Sequence, residues 1–240
     1  MDPQFLVLGV IWYIVFLFST TCHEGAHALA AKIGGDSTAF EGGQVTLNPL
    51  PHIRREPMGM VVVPIISYLI PPHWLLGWAS APYDPVWRHR HPRRAALMAL
   101  AGPAANFLLM ILAGVAIRVG IAMHYFQVPE SATMVNVTVA AGDGSARLAA
   151  TFLSVVFALN LLLGTFNLLP VPPLDGNTGI TIFMGEERAR RFMDWTTRSA
   201  LGFAGILLAW FIYNRIFSYI FRAALTLLYQ DSSWIEPSLL

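Results

Sequence analysis

Residues 5–18 read FLVLGVIWYIVFLF and run without a charge into FSTTCHEGAHALAAKIG at 18–34. A run of this kind predicts a membrane span, because about 20 apolar residues cross the hydrocarbon core as a helix that satisfies its own backbone. Yet two histidines and a glutamate stand at its end, where each buried ionisable group costs ~2.5 kcal/mol or more unless it is used. Composition extends the same reading to the whole chain. Of 240 residues, 55% are hydrophobic and 12% charged, against about 25% charged in a soluble domain. The mean hydropathy is +0.56. An integral membrane protein is expected, as a single membrane domain over 1–240. The net charge of +1 argues neither for nor against a nucleic-acid partner, and with no basic aromatic patch to suggest one, none is expected. Cys22, the sole cysteine, excludes an intramolecular disulfide framework. MDPQ lacks the positive start of a signal peptide, so the first run reads as a retained helix.

The expected fold class is an all-α polytopic membrane protein with about four spans. They fall at 5–31, 95–122, 149–185 and 200–228, the third broken at 170–176 by Pro170, Pro172 and Pro173. The region 32–94 is expected to be cytoplasmic and strand-containing or re-entrant. GGQVTLNPL (42–50) alternates like an extended strand, and the apolar stretch 58–70 is short for a crossing and stops at Pro71-Pro72. Arginines gather in 32–94 and 186–198, while 123–148 holds only Arg147. The positive-inside rule then places 32–94 and 186–198 in the cytoplasm and both termini outside. Residues 185–200 read as an interfacial helix anchored by Trp195.

His23 and His27 are four apart, hence on one helical face. His-Glu-x-x-His on a helix grips one zinc ion through its two imidazoles and leaves the glutamate, Glu24, to act on water. Counted back from Lys32 along a helix, His23 lies about 14 Å deep, too deep for an imidazole to snorkel. A catalytic zinc takes three protein ligands as a rule. Asp175 is the outstanding third candidate, since unwound backbone at membrane depth lines a wet cavity and the broken span carries an inward carboxylate. Cys22 faces about 100° away from His23 and reads as a small buried thiol.

The motifs HEGAHALAA, LAGPAAN (100–106) and NLLPVPPLDG (167–176), in this order, resemble the site-2 protease family of intramembrane zinc metalloproteases. TLNPLPHI and PMGMVVVPIISYLI with GWASAPYDP are similar to its compact prokaryotic branch, which lacks PDZ and CBS domains. The resemblance implies His23, His27 and Asp175 as zinc ligands, Glu24 as general base, and one Zn2+ per chain. It implies a transmembrane protein substrate, cut within the bilayer on the cytoplasmic side of a prokaryotic inner membrane.

Three asparagines are supporting candidates: Asn106 bonding across to the broken span, Asn167 positioning that break, and Asn48 closing the strand on which an unwound substrate would add. Gly102, Ala101 and Ala105 read as small residues for close helix approach. IRREPMG after His52 is longer and more basic than the branch's pattern, and His52 reads as a surface histidine. Two other classes use the same residues. A catalytically silent zinc-binding scaffold would tolerate Glu24→Gln. A metal transporter would show repeated halves with paired broken helices, and no repeat is visible here.

Overall fold

The computed structural model describes residues 2–198 and 201–230. Apolar length carries the first segment into one helix, α1 (Pro3–Gly34). Gly35, at φ 98°, stops it in the left-handed region that glycine enters at little cost. Helices α2 (Thr38–Glu41) and α3 (Pro49–Arg55) follow, then a π-helical turn (Met58–Val62) running into α4 (Val63–Leu69), and α5 (Pro85–Arg90). Next come α6 (Pro92–Ala122), strands β1 (Phe126–Gln127) and β2 (Val139–Ala140), and α7 (Ser145–Asn167). The chain continues through α8 (Asp175–Gly179), a 3-10 turn (Ile180–Phe183), α9 (Glu186–Arg198) and α10 (Leu201–Tyr229).

Among the described residues, α1, α6 and α7 are long and apolar enough to cross a membrane. Helix α10, 29 residues long, occupies the fourth expected span. The protein is an all-α polytopic membrane protein. Residue 200, the expected start of that span, and the tail after residue 230 lie outside the described residues. So does the end of the expected interfacial helix, whose described part is α9; there Arg191 Nε donates to Glu187 Oε1 at 3.0 Å.

The third span breaks where proline demands it. Helix α7 stops at Asn167, the chain runs irregularly to Leu174, and helix resumes at Asp175. Pro170, Pro172 and Pro173 lack the N–H a helix needs, and each disfavours helix in the residue before it. Gly176 lets the two limbs of the break meet, since a Cβ there would collide with the carbonyls of Leu168 and Leu169.

One element expected between the first two spans differs. GGQVTLN is irregular, and the strands among the described residues lie instead in the 123–148 connection. There Phe126 pairs antiparallel with Ala140 and Gln127 with Val139. Local bonds claim the groups a ladder would need. Thr46 Oγ1 accepts from the Asn48 N–H at 3.0 Å, and the Thr46 carbonyl meets the His52 ring at 3.2 Å. The apolar stretch Met58–Leu69 is helical and, at roughly 18 Å, too short to cross.

Two compact units emerge. The first comprises Met1–Phe16, Phe107–Leu162 and Ile212–Leu240; the second comprises Leu17–Asn106 and Leu163–Phe211. In the first, Val15, Ile117, Val137, Val155 and Leu225 are fully buried. Ser154 there accepts from the Thr138 N–H at 3.1 Å, and Tyr229 donates to the Val137 carbonyl at 2.5 Å. The second contains the residues of interest from every motif above.

Candidate metal centre

Helical spacing puts His23 and His27 on one face of α1, and the structure shows what holds each ring. His23 Nδ1 donates to Asn106 Oδ1 at 2.6 Å, and His27 Nδ1 donates to the Met98 carbonyl at 2.7 Å. An imidazole whose Nδ1 carries the proton presents a lone pair on Nε2. Those two Nε2 atoms lie 3.0 Å apart. Asp175, arriving from the broken span, places Oδ2 3.0 Å from His23 Nε2 and Oδ1 3.3 Å from His27 Nε2.

Three electron-pair donors thus converge at separations that repel unless a cation or proton lies among them. A tetrahedral zinc with bonds near 2.0–2.1 Å would space its ligands by roughly 3.3 Å. The donor set therefore fits zinc. Gly102 supports the same conclusion. A Cβ there would overlap Nε2 of both histidines, so the α6 backbone leaves the space beside these atoms open. The ligand atoms of His23, Glu24 and His27 lie within 4.8 Å of one another, all three residues being buried.

Glu24 also lines a cavity of about 190 Å3, together with His27, Asp175, Pro173 and the irregular segment Ala79–Tyr83. That segment is pinned at both ends. The Trp78 N–H donates to the Gly59 carbonyl at 3.0 Å, and Ser80 Oγ–H donates to Glu56 Oε1 at 2.5 Å. Beyond Tyr83, Asp36 takes the Asp84 N–H at 2.8 Å. Burial pushes the Asp36 carboxyl pKa up, but hydrogen bonds from the Thr38 hydroxyl, the Thr38 N–H and the Asp84 N–H outweigh it and hold the value low. This anchor is present above the ordinary carboxylate pKa and is lost only as pH falls through the depressed value.

The remaining expectations divide. Asn106 is fully buried and touches His23. Asn167 turns its amide back onto the Leu163 carbonyl of its own helix at 2.9 Å, and does not line the cavity. Asn48 caps α3 by accepting from the Leu50 N–H at 3.0 Å. His52 is not on the surface. It is 1% exposed, because α3 folds it inward toward the Thr46 carbonyl, and its Nδ1 has no hydrogen-bond partner among the described residues. Cys22 is half-buried. Sequence reasoning missed the Met98 carbonyl, a backbone group with no sequence signal. It also missed Gly102 as the residue that clears the donors, although its place in LAGPAAN was the available signal.

A polytopic helical membrane protein that gathers His-Glu-x-x-His and a break-borne aspartate defines a class: a membrane protein of the zinc-metallopeptidase type. Residues 11–212 match Peptidase family M50, and the chain belongs to this family, that of the site-2 proteases. YwhC of Bacillus subtilis, named as a candidate zinc metalloprotease, is 35% identical over 166 residues, covering 68% of this chain and 64% of YwhC. Rip2 of Mycolicibacterium smegmatis, named likewise, is 26% identical over 188 residues, covering 76% of this chain and 61% of Rip2. The chain thus spans less than two thirds of either relative's length. No solved structure matches it.

Proposed function

We propose that the chain is an intramembrane zinc metalloprotease that hydrolyses peptide bonds within transmembrane segments of other proteins. The observation that carries this reading is the convergence of His23 Nε2, His27 Nε2 and one Asp175 carboxylate beside buried Glu24. His23, His27 and Asp175 would hold one zinc ion. When bound, zinc supplies Lewis acidity, which brings the pKa of a water toward ~7 and polarises a carbonyl. Glu24 takes the proton of the attacking water and returns it to the leaving nitrogen, leaving its own carboxylate unchanged over the cycle. Asn106 and the Met98 carbonyl keep both Nδ1 atoms protonated, so both Nε2 atoms stay available. The irregular segment Ala79–Tyr83 and the break at 168–174 bound the space into which an unwound substrate fits.

Orientation follows from the arginine-rich stretches. With 32–94 and 186–198 in the cytoplasm, the site opens toward the cytoplasmic side of a prokaryotic inner membrane. The test is zinc content together with cleavage of a transmembrane peptide. About one zinc per chain is expected in wild type and Glu24→Gln, and a marked loss in Asp175→Ala. Cleavage should fall about 10²- to 10⁴-fold in Glu24→Gln. Full zinc with undiminished biological effect in Glu24→Gln would favour a scaffold, and zinc flux in proteoliposomes a transporter.

A further inference from the structure

Among the described residues, Arg88 is the only lysine or arginine lining the cavity that holds Glu24, His27 and Asp175. Its helix is held at its cap and by Trp87. Asp84 caps α5 by accepting from the Val86 N–H at 2.8 Å. Trp87 donates from Nε1 to the Gly34 carbonyl at 3.0 Å and packs with Ala31, Ala95 and Met98. Arg88 is thereby turned toward the cavity. Its Nη1 donates to the Tyr83 hydroxyl at 3.1 Å and its Nη2 to the Thr178 hydroxyl at 3.4 Å, with the guanidinium 5.6 Å from the Tyr83 ring centre. Both partners are neutral. No carboxylate lies within 4.0 Å of it among the described residues, although two line the same cavity. Of the five N–H donors a guanidinium carries, three are left over.

We propose that Arg88 is a substrate-binding residue of this site, donating those N–H groups to a backbone carbonyl of the bound segment. The inference rests on the intramembrane-protease reading. A transmembrane helix that unwinds for cleavage strips its carbonyls of their N–H partners where water is scarce, and each stripped group is costly until a donor meets it. A carbonyl is favoured over an acidic side chain for two reasons. Acidic residues are rare in transmembrane segments. The charges of Glu24 and Asp175 in the same cavity also oppose a third carboxylate.

The experiment uses the full chain, zinc-loaded in proteoliposomes, and a fluorescent transmembrane peptide with a central Asn-Pro break and no acidic residue. Arg88→Met should lower kcat/KM about 10- to 100-fold, the loss expected for a hydrogen bond from a charged donor, with zinc content unchanged. Arg88→Gln, which restores donors without charge, should recover part of that loss. Arg88→Met cutting like wild type overturns the inference alone, as does a parallel loss of zinc, which would mean a structural role. Full rescue by Arg88→Lys with none by Arg88→Gln overturns the carbonyl, because the position would then act through its charge alone and not through hydrogen bonds a neutral donor can replace. A zinc-loaded wild type that cuts nothing sinks the protease reading, and the inference with it.

Discussion

The two units differ in how completely their buried polar groups are paired. In the unit of Met1–Phe16, Phe107–Leu162 and Ile212–Leu240, buried Thr138 and Ser154 close on each other and on backbone, and Asn160 donates to the Val156 carbonyl at 2.8 Å. The other unit holds His23, Glu24, His27, Gln44, His52 and Asn177 buried. There, acceptor atoms face one another, and Gln44 Oε1, His52 Nδ1 and Asn177 Oδ1 have no hydrogen-bond partner among the described residues. A satisfied polar group adds rigidity. One left unsatisfied in an apolar surrounding costs about 1–3 kcal/mol and persists where something else, such as a metal or a substrate, completes it. The atoms without a partner among the described residues thus fall in the unit that carries His23, Glu24, His27 and Asp175.

The sharpest way to break this comparison is Gly102→Ala. Its methyl would occupy the space beside both Nε2 atoms. We expect zinc to drop to a small fraction of the wild-type content, measured by elemental analysis, with the helical circular dichroism signal retained. Normal zinc content would mean that the donors do not meet where the structure brings them together. Asn106→Ala comes next. Loss of a residue that orients a ligand lowers metal affinity or activity about 10- to 100-fold, to be read by competition with a zinc chelator. An unchanged affinity would make Asn106 a packing residue only.

Ser154→Ala probes the satisfied unit. The Thr138 N–H would lose its partner, at a cost of about 1–3 kcal/mol in stability. Thermal unfolding in detergent should register that loss while zinc content per folded chain stays at the wild-type level. A loss of zinc at unchanged stability would dissolve the distinction between the units. The smallest effect is expected from Arg191→Ala on α9. Its partner Glu187 is exposed, like Arg191 itself. Pairs of that kind contribute at most about 0.5 kcal/mol, so unfolding and zinc content should both stay within error.

The spans and the histidine pair were legible in the sequence because they depend on local quantities. Apolar length decides whether α1, α6 and α7 can cross a membrane, and a spacing of four puts His23 and His27 on one face of any helix. Proline chemistry marked the break before Asp175 in the same way. The segment 42–50 shows where local reading stops. Its alternation suggested a strand, but a strand needs a neighbour, and here Thr46 and His52 take the groups a neighbour would use. His52 was misplaced for a related reason: the basic residues around it are exposed, and only the direction of α3 turns its ring inward.

What the sequence determined by itself was a polytopic helical chain, a motif for metal and water chemistry, and a carboxylate on a broken span. The tertiary structure alone decided which atoms meet. Met98 and Asn106 lie over 70 residues from the imidazoles they orient, Gly102 serves by the side chain it lacks, and Arg88 reaches the cavity because Asp36 and Gly34 hold its helix. The physical reason is one of range. Helix propensity, hydrophobic length and proline act within a few residues, whereas the orientation of a ligand depends on where distant backbone carbonyls and amides come to rest.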